Sequence, residues 1–211
     1  MAKKPKPQSW GFVRAMVDEM AKDDDATIRL VEKPVRRSVI PTGSLDLDRA
    51  LRTGGWPCGV ISIVHSRESL GKSTLCLAAA RECQKLGGIP VYVDMERKLE
   101  LVYAESMGVD TGRMPLIRPK SIEAGFRKLH RMADLIHKEA KGVPILFIWD
   151  SLHSGVTESE SNDDAYKIGA YGPEAKVYSN AVKRFLFQLD DKNVAFLGVS
   201  QSRVGVGRRR T

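Results

Sequence analysis

Four short runs of this chain are apolar at nearly every position: VISIVH (60–65), VYVD (91–94), ILFIWD (145–150) and VAFLGVS (194–200). Runs of that length, rich in β-branched and aromatic side chains, have the pattern of strands covered on both faces. LIR (116–118) is a candidate for one more. Between them lie stretches with helical spacing. Ser73 to Leu86 carries Leu75, Ala79, Cys83 and Leu86 on one stripe, and Gly87-Gly88 stops it. Residues 121–140 space Ile122, Phe126, Leu129, Ala133 and Ile136 by four, three, four and three. Residues 173–189 place Tyr178, Val182, Phe185 and Leu189 on one side. Strand and helix in alternation predict an α/β fold: a mostly parallel sheet with helices on both faces.

The 211 residues suit one compact domain with a small appendage. Ahead of the main alternation, SWGFVRAMVDEMAK (9–22) has the spacing of a short amphipathic helix, which KDDDA ends. IRLV and the basic EKPVRR then lead into the domain. No apolar run approaches the roughly 20 residues that cross a bilayer, and the N-terminus has no signal-peptide core. Cys58, Cys76 and Cys83 form no CxxC pair and no ligand cluster. Three thiols fit a reducing cytoplasm and read as small core hydrophobes.

Formal net charge is +8, and its placement matters more than its size. MAKKPKP at the start reads as a basic disordered tail, SRVGVGRRRT closes the chain, and the acidic TESESNDDAYK (157–167) lies between. Basic ends suggest an anionic partner such as nucleic acid. Solvated tails that aid solubility explain the same charge, so composition leaves both open.

In open α/β sheets ligands bind at the carboxyl ends of the strands, so what each strand delivers there matters. The first run leads into HSRESLGKST (65–74), the second into DMERKLE, ILFIWD into DSLHS, and the last into SQSR. A strand-to-helix turn ending in GKS aims backbone N–H groups and a helix N-terminus at phosphate oxygens. In that frame Lys72 neutralises β- and γ-phosphates and Ser73 offers its hydroxyl to Mg²⁺. Asp150, ending an apolar strand, suits the Mg²⁺ shell, or else caps a turn. Glu96 is placed to activate water, or to form a surface ion pair with Arg97 or Lys98. Gln201 is an amide that could sense a γ-phosphate.

With those residues in hand, the chain resembles the RecA family of recombination ATPases over roughly residues 8–203. PTGSLDLDRALRTGGWPCGVISIV resembles the family's lead-in, and ESLGKST its phosphate loop. VYVDMERKLELVYAESMGVD resembles the segment with the catalytic glutamate, FIWDS the Walker B strand, and VSQSR the glutamine-switch strand. The resemblance implies a RecA-like P-loop core over 41–202. Residues 1–40 would then supply the tail, oligomerisation helix and linker, and 203–211 the start of a second DNA loop. It implies ATP and Mg²⁺ as cofactors, cradled by Ser66, Arg67, Glu68, Ser69, Leu70, Gly71, Lys72, Ser73 and Thr74. Tyr103 would stack on adenine and Glu100 would contact its edge. Glu96, Lys72 and Gln201 would serve catalysis, and Ser73 and Asp150 the metal. Lys167, Arg203, Arg208, Arg209 and Arg210 are the implied DNA contacts.

Three departures from the family pattern bear on function. Ser66 replaces the loop's opening glycine, so strain is expected there if its backbone angle is unusual. The first DNA loop, 157–172, carries Glu158, Glu160, Asp163 and Asp164, which repel phosphates. The chain also stops inside the second loop, which would leave the sheet incomplete and the phosphate-loop strand at an edge. The leading expectation is a cytoplasmic ATP-dependent recombinase, whole or shortened. It would form filaments on single-stranded DNA, alone or with a full-length recombinase, and pair that strand with a homologous duplex in recombination and repair. A non-catalytic accessory that regulates such a filament is the alternative, and a nucleotide-binding ATPase with no recombination role is a third.

Overall fold

The structure is a computed structural model that describes residues 9–22, 37–158, 173–189 and 193–201. The chain divides into two compact units, one up to Arg36 and one from Arg37. In the first, α1 runs Ser9–Met20, with a turn at Ala21 and Lys22, so the helix ends two residues sooner than the sequence spacing predicts. Phe12, Met16 and Met20 lie exposed along it. The expected tail, the IRLV segment and most of the linker lie outside the described residues.

The second unit opens with a small antiparallel pair, β1 (Val39–Ile40) and β2 (Trp56–Pro57), around the short α2 (Leu45–Leu51). Ser44 caps α2 by accepting a hydrogen bond from the Leu47 amide. Then follow β3 (Ile61–Ser66), α3 (Lys72–Lys85), β4 (Ile89–Asp94), α4 (Leu101–Ser106) and β5 (Leu116–Ile117). The unit continues through α5 (Ile122–Glu139), β6 (Ile145–Asp150), α6 (Pro173–Leu189) and β7 (Val194–Gln201). The five strands β3-β7-β6-β4-β5 form one parallel sheet in that spatial order. The α/β architecture expected from the alternation is thus the observed one.

Side chains alternate across a strand, and here the alternation separates two cores. Leu146, Ile148, Ala195, Leu197 and Val199 point to the side of α3, where Cys76, Leu77, Ala79, Ala80 and Cys83 meet them. Ile145, Phe147, Trp149, Val194 and Phe196 point the other way, against Phe126 and Leu129 of α5 and Phe185 of α6. Phe126 stacks on Trp149 with ring centroids 4.5 Å apart. That stacking requires α5 to come close at Gly125, where an added Cβ would lie 2.6 Å from the Trp149 ring. All three cysteines are buried and free, as core thiols should be. Burial pushes the Cys83 thiol up to about 12, with nearby Cys58 adding to the shift.

The same alternation positions the polar strand ends. Tyr92 belongs to the α3-side core, and Asp94, two residues on, shares its face. Counting by twos from Ile148 and from Val199 brings Asp150 and Gln201 to that face as well. Register sets them level, with Asp94 opposite Asp150 and Ser66 opposite Gln201. Pairing with β7 through Gln201 carries β3 on to Ser66, one residue past the apolar run. The expectation that VISIVH is covered on both faces does not hold: among the described residues β3 has a single neighbour, β7, no residue of β3 is buried, and Ile63 is 58% exposed.

Candidate nucleotide site

At the carboxyl end of the sheet lies a cavity of about 530 Å³, within the usual range for small-molecule sites. Lys72, Ser73, Glu96, Asp150 and Gln201 all contribute to its wall. So do Glu68, Ser69, Gly71, Thr74, Glu100 and Tyr103. Ser66, Arg67 and Leu70 belong to the same loop but not to the cavity wall, and Leu70 is 65% exposed.

The loop between β3 and α3 turns through two left-handed residues, Ser69 (φ 59°) and Gly71 (φ 77°). Gly71 occupies the N-cap position of α3, and space is open where its Cβ would stand, so its backbone angle is what favours glycine there. The strain expected at Ser66 is absent, because Ser66 ends β3 and does not take a positive φ. Pairing with Gln201 holds it extended, and the strained non-glycine position is Ser69. Buried Lys72 donates to the carbonyl oxygens of Ser66 (3.2 Å) and Arg67 (2.5 Å), so its ammonium lies inside the loop's curve.

Asp150 accepts from two hydroxyls on one oxygen, Ser73 Oγ and Tyr92 Oη, each at 2.7 Å. A hydroxyl and a carboxylate from two elements thus meet at the N-terminus of α3, an all-oxygen pair suited to Mg²⁺. Asp94 is occupied differently. It is buried, accepts from the amides of Lys98 and Leu99, and pairs with Arg118 at 3.1 Å. These bonds make it a brace for the segment after β4, which turns at Arg97 (φ 57°).

That segment presents Glu96. Its Oε1 lies 2.7 Å from Ser151 Oγ, 2.8 Å from Ser154 Oγ and 3.1 Å from Gln201 Nε2. The two serine hydroxyls are also 2.7 Å apart, so two protons serve a triangle of three oxygens. On the other side Oε2 accepts from Lys98 Nζ at 2.7 Å. Burial opposes ionisation here, but Lys98 and the two serines outweigh it and bring the Glu96 carboxyl down to about 2. Glu96 thus forms the ion pair with Lys98 that one sequence reading expects, and it also lines the cavity.

Tyr103 is 41% exposed, and its hydroxyl lies 2.9 Å from Thr74 Oγ1. Glu100 occupies the N-cap position of α4 on the same wall, with no capping hydrogen bond from its side chain. Ser151, Ser154 and Tyr92 were not visible in the sequence as site residues; strand periodicity puts Tyr92 on the face of Asp94, and only the sheet register brings it to Asp150. A further cluster was equally hidden: His65 Nδ1 and His153 Nε2 each lie 2.9 Å from Ser200 Oγ, tying the ends of three strands. In the acidic segment Glu158 pairs with Arg127 of α5, and that hydrogen bond lowers its pKa. Lys167, Arg203, Arg208, Arg209 and Arg210 lie outside the described residues, as does most of the expected first DNA loop.

A strand, a glycine-bearing turn ending in Lys-Ser, and an acid closing the parallel strand two places along the sheet define a phosphate-loop α/β core. Residues 15–209 match the model of the RecA N-terminal domain. The chain is 34% identical over 183 residues to Protein RecA of Wolinella succinogenes, covering 86% of this chain and 50% of that one. Protein RecA of Lactobacillus johnsonii is also 34% identical, with 86% and 49% covered, and that of Helicobacter hepaticus 32%, with 86% and 51%. The chain belongs to the RecA family. It spans about half the length of these curated relatives. Among the described residues no helix is long and apolar enough to cross a membrane.

Proposed function

We propose that this chain is the nucleotide-binding core of an ATP-dependent DNA recombinase, acting on single-stranded DNA in recombination and repair. The observation that carries this reading is the convergence of Lys72, Ser73, Glu96, Asp150 and Gln201 on one cavity wall. Lys72 neutralises charge on the β- and γ-phosphates, supported by loop amides and the N-terminus of α3. Ser73 and Asp150 hold Mg²⁺, which when bound offsets charge developing on the phosphoryl oxygens. Glu96 orients the attacking water and takes its proton. Gln201, bonded to Glu96 at the end of β7, passes the state of the γ-phosphate into the segment that follows. Tyr103 and Glu100 receive the adenine. Lys167, Arg203, Arg208, Arg209 and Arg210 meet DNA phosphates, and base pairing sets which duplex is joined. The exposed apolar residues of α1 suit a contact between protomers in a filament.

A second reading, a non-catalytic accessory that joins and regulates a recombinase filament, is favoured by the same Glu96. Protein donors occupy both its oxygens, which makes it a weak base. ATP hydrolysis with and without single-stranded DNA separates the two. DNA-stimulated turnover that disappears in Lys72→Ala and Glu96→Gln supports the recombinase. ATP binding without turnover in either condition supports the accessory.

A further inference from the structure

Glu96 has the surroundings of a residue held in reserve. An ionised carboxylate offers about four acceptor sites. Ser151, Ser154 and Gln201 crowd Oε1, while Lys98 takes Oε2. A base must reach the proton it removes, directly or through one water, and here little acceptor capacity remains. Oε2 keeps one acceptor position beside the Lys98 ammonium, and Glu96 becomes a stronger base when one of these partners leaves.

The structure indicates which one. Ser151 is fully buried, Ser154 is bonded to it as well as to Glu96, and Gln201 belongs to a strand of the sheet. Lys98 is 78% exposed at its side chain, against 15% for Glu96, so solvent screens the pair and it holds weakly. Its ammonium is a point charge on a flexible stem, and it lies on the wall of the same cavity as Lys72, Ser73 and Asp150. Glu68 of the phosphate loop and Asp150 both act on it electrostatically. A terminal phosphate entering between these groups carries more charge than a carboxylate and competes for the same cation.

We infer that Lys98 is shared between Glu96 and the terminal phosphate of a bound nucleoside triphosphate. It pairs with Glu96 when no γ-phosphate is present and turns to the γ-phosphate when one arrives. This rests on the reading of the cavity as a triphosphate site. Lys98 then has two effects. It favours the triphosphate over the diphosphate, and its departure frees Oε2. Water attacks the γ-phosphorus as the bond to the β–γ bridging oxygen breaks. Glu96 takes the water's proton, and ADP and inorganic phosphate are the products.

The test is binding of ADP and of the β,γ-imido analogue of ATP, with Mg²⁺, to the full chain and to two variants. Lys98→Met, which keeps the stem and removes the charge, is expected to weaken the analogue by about tenfold and ADP by less than about twofold. Lys98→Arg restores most of the preference. Unchanged affinity for the analogue, or equal loss for both nucleotides, overturns the shared-cation role. A parent chain that binds neither nucleotide overturns the triphosphate site itself, and the role of Lys98 with it.

Discussion

At the scale of single residues, Glu96 makes the sharpest prediction. Its carboxyl titrates at about 2 in the fold, against an ordinary value of 4.5. A group whose folded pKa is depressed adds stability above its unfolded pKa and loses it as pH falls toward the folded one. The full difference would correspond to about 3 kcal/mol, and because the exposed Lys98 is screened by solvent the contribution is well below that. Glu96→Gln is therefore expected to lower the melting temperature at pH 7, with the gap to the parent narrowing between pH 5 and pH 3. A gap independent of pH would show that the charge of Glu96 contributes nothing. Tyr92 supplies a second case. It donates to Asp150 from a buried position, and burial, then the neighbouring Cys76 and Asp150, raises its own pKa. Tyr92→Phe should cost about 1.5–3 kcal/mol in chemical denaturation, the range for a hydrogen bond to a charged group.

At the scale of elements, α5 bears on the site from behind, packing against the strand that ends in Asp150. Ser121 caps it by accepting from the Ala124 amide, and Gly125 lets it approach Trp149, the residue before Asp150. Ser121→Ala should cost about 0.5–2 kcal/mol in urea unfolding. Gly125→Ala should cost about 1–3 kcal/mol, because the methyl has to displace the Trp149 ring. A neutral result for Gly125→Ala would mean that the α5–β6 contact is looser than the ring stacking implies. These elements were the legible ones. β4, β6 and β7 are buried on both faces and apolar nearly throughout, and α5 buries one stripe, so their residues announce them. By contrast, α3 buries Cys76 to Ala80 in a row and leaves Leu86 of its expected stripe exposed. The pieces that escaped were those with little to bury. α2 has no buried residue, α4 buries only Ala104, and β1 and β2 are two residues each. The site divides the same way. Lys72, Glu96, Asp150 and Gln201 were legible because each follows a readable strand. Ser151 and Ser154 were not, because only the fold around the end of β6 brings them onto Glu96. The condition for strain at Ser66 is not met, and the positive φ of Ser69 is one that no local sequence pattern marks.

At the scale of the whole molecule, the proposed role depends on charge brought to an anionic partner. If Arg208, Arg209 and Arg210 meet single-stranded DNA, replacing all three with alanine should flatten the slope of log affinity against log salt by about 2. An unchanged slope would remove them from the interface. The parallel sheet matters here as a frame. It sets four strand ends level, so that Lys72 and Ser73 from one, Glu96 from the next, Asp150 from a third and Gln201 from the last share one cavity. The measurement that tests this most directly is calorimetric titration of the chain with Mg²⁺ and ATP. The expected result is one nucleotide per chain, with affinity falling by about tenfold or more in Lys72→Ala, as loss of a charge-assisted phosphate contact requires. No binding by the parent, or binding indifferent to Lys72, would contradict the account.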